Sequence, residues 1–275
     1  MPRTLWLVRH GQRIDNVDES WKHNAPRGAW DDPHLTDRGL KQAEEVGKRL
    51  ANEKIDYVFC SPFLRCVQTI SQILKQLKES KPKIFIEHGF CESLSDCQSP
   101  PGFLQTNKLK EQFNLIDDSY KVFLDKLSKE ANSLDCLERI QMTLEHVLNN
   151  HKGNILIVSH GSPIAACHKV LSGEFKYTGQ CTISKYQLET IQSTIDENGN
   201  FESSEDNGED EENANEDEEN ANKNLPLDSQ TSTSLTKKFK IKRILAGDSN
   251  HLSDRTNLRD VPKFIQKAGN LIALC

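Results

Sequence analysis

Short apolar runs rich in β-branched residues alternate along this chain with longer segments whose apolar residues recur at helical spacing. The runs lie at 4–9, at 57–60, at 84–87 and from 154 onward, and two later ones lie at 182–189 and 239–246. Strands that alternate with helices usually pair in parallel and are covered on both sides. The pattern therefore predicts an α/β fold with a mostly parallel central sheet and helices on both faces.

The helical segments carry their own boundary signals. Helices are predicted from residue 36, over 64–77 and over most of 105–150. Three residues are expected to mark helix ends, namely Thr36 and Ser162 as N-caps and Gly173 as a terminator. Pro163 then occupies the first position of the helix that Ser162 caps, where a missing backbone N–H costs little.

An acidic segment interrupts the later part of the chain. Residues 196–222 contain thirteen Asp and Glu and neither Lys nor Arg, whereas the remainder has 35 Lys and Arg against 28 Asp and Glu. Such a composition buries too little apolar surface to offset the entropy of ordering. We predict a disordered insertion at 196–236 within a single domain that spans 1–275. The mildly basic remainder suits an anionic ligand.

Other features argue against a secreted, membrane or metal-binding protein. No apolar run approaches the roughly 18 residues of a membrane helix, and the amino terminus shows no secretory signal. The eight Cys include no CxxC pair, which fits thiols in a reducing compartment better than disulfides or zinc ligands. We expect a cytoplasmic protein that needs no metal and binds neither membranes nor nucleic acid.

Candidate catalytic side chains follow predicted strands at four places. They are the Arg-His-Gly-Gln-Arg run at 9–13, the Ser-Pro-Phe-Leu-Arg run at 61–65, Glu92, and Ser-His-Gly at 159–161. The carboxyl ends of strands in an open α/β sheet meet at one edge, where ligands bind. The sequence therefore predicts one pocket, whose histidines and arginines are His10, His160, Arg9, Arg13 and Arg65.

These residue types suit the chemistry of phosphate monoesters. Guanidinium groups match phosphate oxygens bidentately. A neutral imidazole attacks phosphorus and divides one difficult displacement into two easier ones. His10 suits that role if its other ring nitrogen donates to a backbone carbonyl. Gly11 is expected to let the backbone turn closely around the phosphate.

The order of these motifs resembles the histidine phosphatase superfamily, also called the phosphoglycerate-mutase-like family. The matching segments are Leu-Val-Arg-His-Gly at 7–11, Leu-Thr-Asp-Arg-Gly-Leu-Lys-Gln-Ala at 35–43, Ser-Pro-Phe-Leu-Arg-Cys-Val-Gln-Thr at 61–69 and Val-Ser-His-Gly at 158–161. Arg-His-Gly-Gln-Arg and Arg-Cys-Val-Gln-Thr are most similar to the branch of the TULA (suppressor of T-cell receptor signalling) phosphatase domains and the ecdysteroid-phosphate phosphatases. Gln12 departs from that branch, which usually has Glu there.

The resemblance implies a phosphoglycerate-mutase-like fold and a phosphatase without a cofactor. It implies His10 as the nucleophile, Arg9, Arg65 and His160 as the rest of the phosphate pocket, and Arg13 as an additional arginine of this branch. It also favours a homodimer.

Glu92 falls where the family places its proton donor. Glu87 and Asp96 lie close to it in the sequence. The resemblance alone therefore leaves open which of the three carboxylates donates the proton.

Hydrolysis of a phosphate monoester, on a phosphotyrosine protein, a steroid phosphate or another small molecule, is the function that the sequence favours. A phosphoglycerate mutase is the nearest alternative, because it uses the same pocket and returns the phosphoryl group to a sugar acid. Arg13 and the run at 61–69 favour the phosphatase branch. A catalytically weak protein that binds phosphorylated ligands and docks through its acidic insertion is an alternative of a different class.

Overall fold

The computed structural model describes residues 2–78, 81–191 and 234–258. Its strands are β1 (Arg3–Arg9), β2 (Tyr57–Cys60), β3 (Ile84–Ile86), β4 (Ile155–Ser159), β5 (Ile183–Thr190) and β6 (Phe239–Asp248). Its helices are α1 (Trp21–Asn24), α2 (Asp37–Leu50), α3 (Leu64–Gln76), α4 (Thr106–Gln112), α5 (Ser133–Asn150), α6 (Gly161–Ser172) and α7 (Ser234–Lys238). No helix in these ranges is both long and apolar enough to cross a membrane.

The six strands form one sheet in the order β3-β2-β4-β1-β5-β6. The pairs β3–β2, β2–β4 and β4–β1 are parallel, and β5 and β6 join the β1 side as antiparallel strands. The predicted mostly parallel sheet is confirmed. The four parallel strands also end at the same edge, which is the geometry that brings their following loops together.

Both faces of the sheet are buried, as the near-continuous apolar runs of its central strands require. Alternate residues of β1 point to opposite faces, so Trp6 and Val8 belong to one core and Leu5 and Leu7 to the other. Helices α2 and α3 cover the first face, and α5 and α6 cover the second. The prediction of helices on both faces is therefore confirmed.

The predicted helix ends are confirmed at two of three places. Thr36 caps α2 because its hydroxyl accepts a hydrogen bond from the Gly39 amide at 3.0 Å. Gly173 ends α6 in the left-handed region at φ 78°. The prediction for Ser162 was wrong, since α6 begins at Gly161 and His160 occupies the N-cap position without a capping side-chain hydrogen bond. The strand therefore passes directly into the helix at the predicted pocket.

The expectation that 105–150 is mostly helical is met only narrowly, because α4 and α5, with 7 and 18 residues, account for 25 of these 46 residues. Between α4 and α5, residues 113–132 form no helix and connect the two as a loop with several turns. A buried carboxylate organises this loop, because Glu87 accepts hydrogen bonds from the Tyr120 hydroxyl at 2.8 Å and from the Phe123 and Leu124 amides at 2.8 and 3.2 Å. These contacts connect residues far apart in the chain, which a local pattern does not reveal.

The antiparallel pair β5–β6 flanks the predicted insertion. In their register Thr190 lies opposite Phe239, and the Ile191 amide donates to the Lys238 carbonyl at 2.9 Å. Most of the predicted insertion lies outside the described residues. Its last three predicted residues, 234–236, fall in α7, where Leu235 is fully buried.

A buried polar cluster connects α6 to this antiparallel part of the sheet. One ring nitrogen of His168, Nδ1, bonds the Tyr186 hydroxyl, and the other, Nε2, lies 3.0 Å from the Ser184 hydroxyl oxygen. That oxygen also accepts a hydrogen bond from the Gly247 amide at 2.9 Å. Burial lowers the pKa of His168 to about 4, so the imidazole of the folded protein stays neutral at physiological pH.

This cluster predicts a specific acid sensitivity. Between pH 6.5 and about 4 the unfolded chain binds a proton at residue 168 that the folded protein does not bind, so the free energy of unfolding falls as the pH is lowered through this window. His168→Gln removes that contribution. Urea unfolding across the window should show a shallower decline for His168→Gln than for the wild type, with exposed His23→Gln as the control. Parallel declines for all three proteins contradict the assignment.

Candidate active site

Four loops converge at the carboxyl edge of the parallel strands. His10 directly follows β1, His160 directly follows β4, and Arg65 lies in the first turn of α3 after β2. Glu92 lies in the loop after β3, between two 3-10 turns at His88–Phe90 and Leu94–Asp96. The two imidazole rings lie edge to face, with their centroids 5.3 Å apart. The structure thus brings the two predicted histidines together.

The side chain of His10 is fully buried and held by a single described hydrogen bond. Its Nδ1 lies 2.8 Å from the Gly11 carbonyl oxygen. A carbonyl only accepts hydrogen bonds, so Nδ1 carries the proton and Nε2 keeps its lone pair. Nε2 has no hydrogen-bond partner among the described residues. An unpartnered buried nitrogen is costly in a resting protein, and it is what a nucleophile requires.

Burial is the main cause that holds the pKa of His10 well below its ordinary value, and the positive charges of Arg65, Arg9 and Arg13 lower it further. Burial and the same three arginines also lower the pKa of His160 well below its ordinary value, with His10 contributing. Both rings are therefore neutral at pH 7. A pocket that keeps two imidazoles neutral through nearby cations attracts an anion.

His160 is fixed from both sides of its ring. Its Nδ1 accepts a hydrogen bond from the Arg65 Nε at 3.2 Å, and its Nε2 lies 2.7 Å from the Ser61 hydroxyl oxygen. With Nδ1 accepting, the ring proton resides on Nε2 and is donated to Ser61. Ser61 follows β2, so one imidazole connects the ends of two neighbouring strands.

Arg65 is 1% exposed and is oriented by three groups. Beyond His160, its Nη1 donates to the Asp31 carbonyl oxygen at 2.8 Å, and its guanidinium lies 4.4 Å from the centre of the Phe63 ring. The carboxylate of Asp32 accepts a hydrogen bond from the Leu64 amide at 2.7 Å and so holds the start of α3. The segment before α2 therefore positions a side chain of α3.

Arg9, the last residue of β1, is also buried. Its Nη1 donates to the Thr178 carbonyl oxygen at 3.0 Å, and its guanidinium lies 4.9 Å from the centre of the Tyr177 ring. Tyr177 packs against the backbone of Gly161, where a Cβ would come within 2.5 Å of the ring. Gly161 is thus required for this close approach.

Arg13 lies at the rim of the pocket. Its side chain is 23% exposed and pairs with the Asp15 carboxylate, with Nε and Oδ1 3.0 Å apart. Its charge nevertheless lowers the pKa of both His10 and His160. A cation at the rim, within electrostatic reach of the buried pair, adds to the positive field that an anion in the pocket would meet.

Glu92 is the carboxylate that the structure brings to the histidine pair. Its Oε2 lies 3.7 Å from the His160 Nδ1, and its Oε1 accepts a hydrogen bond from the Ser93 amide at 3.0 Å. Glu87 is fully buried and already accepts four hydrogen bonds, three from the 120–124 segment and one from Gly89. Asp96 is exposed as a residue, while desolvation of its carboxyl group, and after that the charge of Glu92, raises its pKa.

Gly11, in the loop after β1, packs closely against the start of α2. A Cβ on Gly11 would lie 2.5 Å from the Gly39 carbonyl oxygen, and one on Gly39 would lie 2.3 Å from the Gln12 carbonyl oxygen. The Gly11 amide donates to the Thr69 hydroxyl at 3.1 Å. Gly11 is therefore needed for close packing of the loop on α2, and its amide is already engaged.

Gln12 connects the same loop to the first turn of α2. Its side-chain oxygen accepts a hydrogen bond from the Thr36 hydroxyl at 2.9 Å, and its backbone N–H donates to Gln42 Oε1 at 2.9 Å. The residue that departs from the TULA branch thus supports the helix cap.

Ligand atoms of His10, Glu92 and His160 lie within 4.8 Å of one another, a spacing that could hold a metal ion. The surrounding charge argues against such an ion. Three guanidinium groups lower the pKa of both imidazoles, and the His160 Nδ1 lone pair is engaged by Arg65. A dication would meet this positive field and displace that bond, whereas an oxyanion would be stabilised by it.

Sequence reasoning missed the residues that orient the arginines. Asp31, Tyr177 and Thr178 act through backbone carbonyls or a ring face, and they lie in segments without periodicity. Ser61 was part of a predicted motif, but its contact with His160 was not foreseen. Only their position next to the motifs in space identifies them.

The chain is similar to a known protein family over most of its length. A profile of the histidine phosphatase superfamily (branch 1) matches residues 5–197. The ecdysteroid-phosphate phosphatase of Drosophila melanogaster is 30% identical over 204 residues, which cover 62% of this chain and 27% of that protein. The human ubiquitin-associated and SH3 domain-containing protein A is 32% identical over 206 residues, which cover 62% and 31%. The chain thus spans less than a third of the length of these two relatives.

A solved structure shows the same fold. The ecdysone phosphate phosphatase of Bombyx mori, in complex with tungstate, superposes with a TM-score of 0.55 at 23% identity and covers 67% of this chain and 88% of that one. The phosphoglycerate-mutase-like fold that the sequence motifs implied is therefore confirmed. With the profile covering most of the chain, the conclusion is direct: this protein belongs to the histidine phosphatase superfamily.

Proposed function

We propose that this protein is a phosphatase that hydrolyses phosphate monoesters through a phosphohistidine on His10. One observation carries the proposal. His10 is buried and neutral, its Nδ1 is fixed by the Gly11 carbonyl, and its Nε2 has no described partner. A preorganised lone pair in a positive field favours attack on a phosphate dianion, because the field stabilises the charge that develops on the phosphoryl oxygens.

The arginines and His160 bind the phosphate that His10 attacks. Arg9, Arg65 and His160 bind the phosphoryl oxygens, and Arg13 closes over them from the rim. Removal of one well-placed donor to developing charge typically costs about 3 to 4 kcal/mol. His160 contributes as a hydrogen-bond donor after it takes a proton, since the bound dianion offsets the positive charges that keep it neutral in the free enzyme.

Glu92 supplies and removes the protons in this scheme. In the first step the His10 Nε2–phosphorus bond forms, the bond to the leaving oxygen breaks, and that oxygen takes a proton from the Glu92 carboxyl. In the second step water attacks phosphorus, Glu92 takes the proton of the water, and the nitrogen–phosphorus bond breaks to release phosphate. Each residue returns to its starting state.

The proposal extends to cofactors, compartment and assembly. The positive field of three arginines replaces the charge that a metal supplies in other phosphatases, so we propose metal-independent catalysis. All seven described cysteines are free thiols, which supports a cytoplasmic location. Homodimerisation stays a prediction that sedimentation at enzyme-assay concentrations tests.

The substrate class is the least defined part of the proposal. A steroid phosphate is one candidate, because the Drosophila relative is named for an ecdysteroid phosphate, and a phosphotyrosine protein is another. Turnover of p-nitrophenyl phosphate, a steroid phosphate, a phosphotyrosine peptide and 3-phosphoglycerate, with chelator throughout, ranks them. Isomerisation of 3-phosphoglycerate without release of phosphate would replace the phosphatase assignment by a mutase.

The nucleophile is tested by His10→Ala. This variant removes the attacking atom, so turnover should fall to background, while exposed His23→Ala should retain wild-type activity. Wild-type protein quenched during turnover should carry a base-stable, acid-labile phosphate on His10. Full activity of His10→Ala, or activity that chelator abolishes, contradicts the mechanism.

Arg13→Ala tests the rim arginine. The loss of a charged donor from a desolvated anion should lower kcat/KM by roughly 30-fold to 1,000-fold, and Arg13→Lys should recover only part of it because ammonium lacks the bidentate fork. Removing this charge should also raise the pKa of His10 and shift the acid limb of the kcat/KM profile to higher pH.

Asp15→Ala is the matched control, because it removes the Arg13–Asp15 ion pair and keeps the charge of Arg13. It should leave kcat/KM near the wild-type value. An effect of Arg13→Ala below about threefold, with the circular dichroism spectrum unchanged, removes Arg13 from the site.

A further inference from the structure

Arg139, a buried residue of α5, reaches the loop that carries Glu92 and is used by none of the chemistry above. Its Nη1 donates to the Gly89 carbonyl at 2.7 Å and to the Cys91 carbonyl at 3.0 Å. Its Nη2 donates to the Glu92 carbonyl at 3.1 Å. The Phe90 carbonyl accepts from the Ser159 hydroxyl at 2.7 Å. Four successive carbonyls, 89–92, are thus held by side chains from outside the loop.

Glu130 completes the arrangement on the other side of Glu92. Its Oε1 lies 2.6 Å from the Arg139 Nε, and both side chains are almost fully buried. Its Oε2 accepts a hydrogen bond from the Leu94 amide at 2.7 Å and a longer one from the Ser93 hydroxyl at 3.4 Å. One buried ion pair therefore fixes the backbone before and after Glu92.

The Glu92 carboxylate itself has little support of its own. Its described contacts are the adjacent Ser93 amide and the 3.7 Å approach to His160. It also lies between two 3-10 turns, where no sheet or helix hydrogen bonds fix the backbone. Its position relative to the pocket is therefore set by the backbone that Arg139 and Glu130 hold.

We propose that the Arg139–Glu130 pair is a positioning device for the proton donor and that it determines how well the enzyme cleaves esters with poor leaving groups. This inference rests on the proposed function of Glu92. The constant kcat/KM reports the steps up to release of the leaving group, and in those steps a misplaced donor affects only substrates that need a proton at the leaving oxygen. The later attack of water, in which Glu92 acts as base, is common to all substrates and does not enter this constant. An alkyl phosphate needs that proton, whereas p-nitrophenyl phosphate releases a stable anion and hardly needs it.

The experiment compares kcat/KM for an alkyl phosphate and p-nitrophenyl phosphate on the same preparation of each variant. The ratio of the two constants does not depend on the fraction of folded protein, so a simple loss of stability leaves it unchanged. Arg139→Lys keeps the charge and loses the planar fork. It should lower the alkyl phosphate constant by about tenfold to 100-fold and the p-nitrophenyl phosphate constant by less than about threefold.

Two further variants make the test specific. Glu130→Gln keeps one acceptor oxygen and loses the negative charge, so it should shift the ratio in the same direction. If Arg139→Lys folds poorly, Glu130→Gln tests the proposal in its place. Arg3→Lys is the matched control, because Arg3 is also a buried arginine that donates to backbone carbonyls, those of Leu148 and His151, at the opposite end of β1. Its ratio should equal that of the wild type.

Glu92→Gln separates this inference from the proposed function. If Glu92 is the donor, Glu92→Gln shifts the ratio strongly, and adding Arg139→Lys to it shifts the ratio no further. If Glu92→Gln shifts the ratio and Arg139→Lys does not, the positioning role is wrong and the proposed function stands. If Glu92→Gln leaves the ratio unchanged, the donor assignment fails and the positioning role fails with it. Equal losses on both substrates in Arg139→Lys also overturn it.

Discussion

Buried positive charge is the constraint on which the architecture of the pocket depends. Arg9 and Arg65 are almost completely removed from water beside two neutral imidazoles, and a buried charge is costly unless it is paired and hydrogen-bonded. The contacts described for them are backbone carbonyls, ring faces and an imidazole nitrogen. These partners fix the direction of the two guanidinium groups, and their charge acts on the histidine pair that they flank.

This constraint explains why segments without regular structure are ordered around the sheet edge. A carbonyl such as that of Asp31 can orient Arg65 only if the segment before α2 folds back over the start of α3, and the Asp32 contact with the Leu64 amide holds it there. The loop that contains Thr178 does the same for Arg9. The loops that pack at the strand ends are therefore the same segments that orient the two guanidinium groups.

The sequence predicted the site residues that directly follow a strand. It did not predict contacts between segments that are far apart in the chain. His10 and His160 could be predicted to meet because parallel strands end at one edge and both residues directly follow such strands. The long loop at 113–132 was missed because the carboxylate of Glu87, some thirty residues earlier, organises it. Arg139 gave no signal either, since its position on α5 matches an ordinary amphipathic helix and its acceptors are main-chain atoms.

The direction of β5 has a consequence for how this family can diversify. β5 starts beside Val8, near the edge that holds the candidate site, and runs past Arg3, so its last residue lies roughly 24 Å from its first at about 3.4 Å per residue. Ile191 pairs with Lys238 of α7 at that distant edge, on either side of residues that lie outside the described ranges. Sequence gained or lost there changes loop closure entropy only slowly with length. A change in the length of the connection between Ile191 and α7 is therefore expected to leave the geometry of the pocket unaltered.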